Sequence, residues 1–135
     1  MKKKKILLVE DELIVAEVIK KYLSKDKYEI LDIVTSGEEC LEIVEKCKPD
    51  LIIMDIMLSG KMTGIEAARI VHEKYGIGIL FLTAYADEET LEGAIESDPY
   101  GYLVKPVREK DVRAAVKMAF HLIQKEIEEK KLQLY

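Results

Sequence analysis

Short apolar runs alternate with longer amphipathic stretches along the whole chain. Residues 4–10, KKILLVE, are an apolar run bounded by charges, which predicts a central strand of a parallel sheet. Residues 11–26 place Leu13, Ile14, Ala16, Val18, Ile19, Tyr22 and Leu23 at helical spacing. YEILDIVTS alternates and predicts a second strand. SGEECLEIVEKC opens a second helix, with Ser36 and Glu39 at capping-box spacing. That helix is expected to end near Lys48, because Pro49 biases the residue before it away from helical dihedrals. DLIIMDI predicts a third strand, SGKMTG a loop, and GIEAARIVHEKYG a third helix with Gly76 as its C-terminal cap. IGILFLTA predicts a fourth strand and ADEETLEGAIESD a fourth helix capped by Asp87. YGYLVKP predicts a short fifth strand stopped by Pro106, and a long last helix runs from Arg108 to about Lys131.

Five strands alternating with five helices predict an α/β domain with a parallel sheet covered on both faces. No linker, repeat or second domain interrupts the pattern. In open sheets of this kind, sites form outside the carboxyl ends of the strands, at a switch in strand order. The residues at those ends are therefore the ones to weigh. They are Glu10 and Asp11 after strand one, Asp55 in strand three, Thr83 in strand four and Lys105 after strand five.

Composition narrows the class. The chain has 135 residues, 49% hydrophobic and 35% charged, which suits one folded domain. No apolar run approaches the roughly 20 residues that a membrane helix needs. The opening MKKKKILLVE has no long apolar segment or cleavage site, so a cytoplasmic chain with no membrane contact is expected. A net charge of −5 argues against direct nucleic-acid binding, and the early lysines read as solubilising charge ahead of an apolar strand. Cys40 and Cys47 would lie about 10.5 Å apart along one helix, too far for a disulfide. His72 and His121 lack the neighbours of a ligand or general base. The absence of Asn, with only two Gln among many Lys and Glu, matches the usage of thermophile proteins.

A lone carboxylate in LIIMDIML is costly to desolvate unless it is used. Three clustered carboxylates raise one another's pKa, and a hard divalent cation with oxygen preference relieves that repulsion. Glu10, Asp11 and Asp55 with a backbone carbonyl suit Mg²⁺ (or Mn²⁺), and Lys105 adds a second positive charge. This set suits phosphoryl transfer, in which a metal, an ammonium and a hydroxyl share the charge of the moving group. Asp55 would be the nucleophile, and Thr83 would donate to a phosphoryl oxygen.

LLVEDE, LIIMDIML, FLTAY and YGYLVKP resemble the receiver domain of two-component response regulators, the family of the chemotaxis response regulator, over about residues 4–120. The resemblance implies a doubly wound (βα)5 flavodoxin-like fold with sheet order 2-1-3-4-5. It implies phosphorylation of Asp55 by a sensor histidine kinase or a histidine phosphotransfer domain. It implies Mg²⁺ held by Glu10, Asp11, Asp55 and the Met57 carbonyl, some of them through water. It also implies a switch in which Thr83 moves toward the phosphoryl group and Tyr102 turns inward, changing the surface of helix four, strand five and helix five. Ser59 stands where most receivers have Pro, and the SGKMTG loop looks one residue longer than usual, which suggests a more mobile loop. Met57 has no group to orient water and Tyr85 is placed to shield the site, so slow dephosphorylation is expected.

The receiver is expected over 1–121, with 122–135 as an extension of the last helix. Val112, Val116, Ala119, Ile123 and Ile127 continue one stripe through that boundary. The extension reads as a solvated helix, a short coiled coil that makes a homodimer, or the start of a linker. Other readings of the whole chain are a flavodoxin-like cofactor binder, a phosphohydrolase and a receiver kept only for protein contacts. The turn EDEL repels a cofactor phosphate, Met57 sits where a hydrolase needs an acid, and the intact acids, Thr83 and Lys105 oppose a degenerate role. No output segment follows the domain in the sequence, so the downstream partner is not identified.

Overall fold

In the computed structural model, which describes residues 3–84, 88–96 and 99–133, strands and helices alternate from end to end. The strands are β1 (Lys4–Val9), β2 (Tyr28–Val34), β3 (Leu51–Asp55), β4 (Gly78–Thr83) and β5 (Gly101–Val104). The helices are α1 (Leu13–Leu23), α2 (Gly37–Cys47), α3 (Gly64–Tyr75), α4 (Glu88–Glu96) and α5 (Glu109–Gln133). All strand pairs are parallel, and the sheet order is β2-β1-β3-β4-β5. This is the expected flavodoxin-like arrangement.

Period-two geometry explains why the central strands β1, β3 and β4 are nearly all apolar. Leu7 and Val9 of β1 face one side and Ile6 and Leu8 the other. The first side packs with Ile52, Met54, Ile79 and Phe81 against Cys40 and Val44 of α2, Ala67, Ala68 and Val71 of α3, and Ala94 of α4. The second packs with Ile53, Leu80, Leu82 and Leu103 against Ile19 and Leu23 of α1 and Val112, Val116 and Phe120 of α5. A strand covered on both faces has no solvent side on which polar residues would alternate.

The ends of the elements follow local chemistry. The Ser36 hydroxyl accepts the Glu39 N–H at 3.1 Å to start α2, as its spacing predicts. Thr63 does the same for α3 by accepting the Glu66 N–H at 3.1 Å. Gly76 closes α3 at φ +67°, where a side chain would be strained. Lys48 closes α2 in the left-handed region at φ 42°, so the residue before Pro49 leaves the helix by that route rather than through extended backbone. α1 is shorter at both ends than the predicted 11–26, with Glu12 as its cap. The proposed cap Asp87 and the site residue Tyr85 lie outside the described residues.

The chain steps from β1 out to β2 and then crosses back to β3. The segments leaving β1 and β3 therefore diverge, and a crevice opens between them at the carboxyl edge. Pairing of Val9 with Met54 brings the residues after β1 beside the end of β3.

Candidate functional site

Asp55 ends β3 and is only 2% exposed. Its Oδ1 accepts the Met57 N–H at 3.0 Å, and its Oδ2 lies 3.2 Å from Lys105 Nζ. Gly64 lets the start of α3 approach this point: a Cβ there would come within 2.0 Å of the Asp55 carbonyl oxygen. The Gly64 N–H donates to the Ile56 carbonyl at 3.2 Å, which fixes the return of the chain.

Glu10 and Asp11 leave β1 beside it. Carboxylate oxygens of Glu10, Asp11 and Asp55 all lie within 4.8 Å of one another. Lys105 follows β5, where its N–H donates to the Thr83 carbonyl at 2.7 Å, and its side chain returns to the crevice. Its ammonium lies 2.6 Å from Glu10 Oε1 and 3.0 Å from Glu12 Oε1, as well as beside Asp55. Sequence reasoning missed Glu12. An acid run after a strand does not reveal which member turns back, and only the Glu12 N–H bond to Glu10 Oε2, 3.1 Å, shows how tightly that turn closes.

One ammonium shared among three carboxylates leaves a deficit of positive charge, and the deficit falls on Glu10. Burial, then the bond to Asp55, pushes its pKa up to about 8, against the opposing pull of Lys105. Burial alone would raise Asp11 too, but hydrogen bonds with Glu10 and Ser59 leave it below the usual carboxylate range. Burial opposes the charge on Lys105, yet hydrogen bonds to Glu10 and Glu12 and the charge of Asp55 outweigh it, and its pKa is raised. Glu10 Oε1 meets the Lys105 ammonium in a 2.6 Å ion pair. Three carboxylates within 4.8 Å of one another, with one ammonium among them, fit a hard cation such as Mg²⁺.

Thr83 is buried at the end of β4, in register with Val104, and Asp55 is in register with Leu82 beside it. Tyr102 of β5 is 36% exposed, and its ring stacks 6.3 Å from Phe81. The Met57 side chain is 64% exposed while its N–H points at Asp55. The structure thus brings Glu10, Asp11, Asp55, Lys105 and the Met57 backbone to one crevice, puts Thr83 at the end of the strand beside Asp55, and sets Tyr102 outward on β5.

Residues 6–117 match the family model described as response regulator receiver domain. The chain belongs to the response regulator receiver family. It is similar to the transcriptional regulatory protein PdtaR of Mycobacterium tuberculosis, 33% identical over 116 residues, 86% of this chain and 56% of that protein. The receiver spans about half the length of the curated relatives it matches. Among solved structures it resembles the signal receiver domain of a modulated diguanylate cyclase from Desulfovibrio desulfuricans G20, with TM-score 0.86, 31% identity, 93% of this chain and 99% of that one. A CheY-like receiver from Methanospirillum hungatei JF-1 gives TM-score 0.84 at 27% identity, over 93% of this chain and 99% of that one. Among the described residues no helix is long and apolar enough to cross a membrane.

Proposed function

We propose that this receiver is a phosphoacceptor: Asp55 takes a phosphoryl group from a phosphohistidine on a sensor histidine kinase or a histidine phosphotransfer domain. The observation that carries the reading is the buried Asp55 carboxylate held by Lys105 at 3.2 Å beside two further acids. An Asp55 oxygen attacks phosphorus, the N–P bond breaks, and its electron pair returns to the imidazole. Lys105 neutralises charge on the arriving group, and the Met57 N–H keeps the carboxylate oriented. Thr83 donates its hydroxyl to a phosphoryl oxygen. Glu10, Asp11, Asp55 and the Met57 carbonyl would hold Mg²⁺, which supplies further charge neutralisation when bound.

The donor docks on α1 and the segment after Lys105. Ile14 is 82% exposed and Leu13 58%, and Val15, Pro106 and Val107 line a hollow of about 410 Å³ that reaches Glu12 and Lys105. Apolar side chains beside a charged crevice suit an amphipathic helix carrying the histidine. The output is a change in the α4, β5 and α5 surface, where Ile95, Tyr102, Val104 and Met118 are exposed. Thr83 moving toward phosphate and Tyr102 turning inward would bias that surface between two states. The chain acts as a signalling component in the cytoplasm rather than as a turnover enzyme.

Incubation with acetyl phosphate and Mg²⁺, followed by intact mass, tests the chemistry. One added phosphoryl group, lost in Asp55→Asn and reduced in Lys105→Ala, is expected; equal labelling of Asp55→Asn would refute it. The same sample reports the lifetime. With no polar side chain at Met57, decay is expected to take longer than minutes, and loss within seconds would overturn that part.

A further inference from the structure

Four features converge on the loop between β3 and α3, residues 56–63. Glu38, in the first turn of α2, accepts the Met62 N–H at 3.1 Å through Oε1. The Met62 side chain lies over Gly37, where an added Cβ would come within 3.1 Å of its Cγ and Sδ. Gly60 turns at φ +110°, and a Cβ there would meet Glu38 Oε2 at 3.2 Å. Ser59, at the other side of the same loop, lies close enough to Asp11 to lower its carboxyl pKa. The loop that begins at the Asp55 carboxylate is therefore tied to α2 at its far end and approaches Asp11 in its middle. These ties run against the mobility suggested by its length and its lack of Pro.

We propose that Glu38 is a positioning residue for the Asp55 site. By holding Met62 it fixes the course of residues 57–62, and so the Met57 backbone, whose N–H meets Asp55 Oδ1 at 3.0 Å and whose carbonyl is a candidate metal ligand. Residues that orient a ligand from behind control affinity without touching the metal. The inference rests on the phosphoacceptor reading, because the loop matters only if Asp55 and its neighbours bind cation and phosphoryl group.

The test compares the wild-type chain with Glu38→Ala, Glu38→Gln and Gly37→Ala. Gln keeps an oxygen that accepts the Met62 N–H while removing the charge. Gly37→Ala leaves Glu38 intact and pushes Met62 from the other side. Hydrogen exchange without Mg²⁺ should show faster exchange over 56–63 in Glu38→Ala and Gly37→Ala, with the strands unchanged. Calorimetry should show Mg²⁺ binding weakened roughly tenfold in the same two variants, the lower end of the range for supporting residues, and near wild type in Glu38→Gln. Unchanged exchange and affinity in Glu38→Ala would overturn the proposal. Glu38→Gln behaving like Glu38→Ala would also overturn it, by assigning the effect to charge at the start of α2. A wild-type chain that neither binds Mg²⁺ nor takes a phosphoryl group would instead remove the phosphoacceptor reading, and this one with it.

Discussion

Glu10 is the residue at which the site's electrostatics come to a head. Its folded pKa, about 8, lies above its ordinary value of 4.5, so the folded protein holds a proton that the unfolded chain has released between those values. Its contribution to stability therefore falls as pH rises through that window, opposite to an acid whose pKa is depressed. In chelator, the melting temperature of the wild type should fall relative to Glu10→Gln between pH 5 and pH 8. Mg²⁺ should remove that difference in slope by giving the ionised carboxylate a counter-charge. Parallel melting curves for the two proteins in chelator would show that the carboxyl ionises at no cost. The charged residues that gather at the crevice were legible because each stands at the end of an apolar strand, where a charged side chain has no packing reason to be. Glu12 was not legible, since its meeting with Lys105 depends on a turn that sequence spacing does not reveal. Glu38 was hidden for a different reason: its partner lies 24 residues away on a loop without periodicity.

Elements were read where one local rule dominated. β1, β3 and β4 are nearly all buried, so continuous apolar runs betrayed them, and the Ser36 and Gly76 caps marked the ends of α2 and α3. The Thr63 cap went unread although Thr63 and Glu66 stand at the same capping-box spacing as Ser36 and Glu39. What sequence reasoning could not supply is how closely an element approaches its neighbour, and α3 shows the consequence. Its first residue, Gly64, packs its Cα against the β3 backbone, and a Cβ would reach 2.0 Å from the Asp55 carbonyl oxygen. Backbone cannot swing aside as a long side chain can, so Gly64→Ala must displace α3 or the end of β3. We expect a loss of about 1–3 kcal/mol or more in urea unfolding, with weakened phosphorylation as Asp55 shifts. A variant as stable as the wild type would mean that the contact relaxes freely, and that α3 does not hold the end of β3 in place.

At the scale of the whole molecule, α5 decides where the domain stops. Its 25 residues span about 37 Å. Its near half is tied to β2 and the turn before it: Arg113 makes a paired contact with Asp26 at 3.0 and 3.1 Å, and Phe120 stacks on Tyr28 at 5.4 Å. Contact with the domain continues beyond residue 121. Ile123 packs on the second core cluster, its Cδ1 within 3.0 Å of where a Gly78 Cβ would stand, and the Tyr100 hydroxyl donates to Glu126. Past that point Ile127 and Leu132 are exposed. A chain ending at 121 should therefore lose about 1–3 kcal/mol, roughly the burial of one large apolar side chain with its hydrogen-bonded neighbour. A chain ending at 127 should stay within about 0.5 kcal/mol of full length, because what it lacks buries little. Thermal unfolding of the monomeric forms separates these cases, with light scattering to watch association. If the chain ending at 127 unfolds as early as the one ending at 121 and the full chain alone is dimeric, the tail is stabilising through a second copy. The extension would then be a coiled coil rather than a solvated helix or a linker.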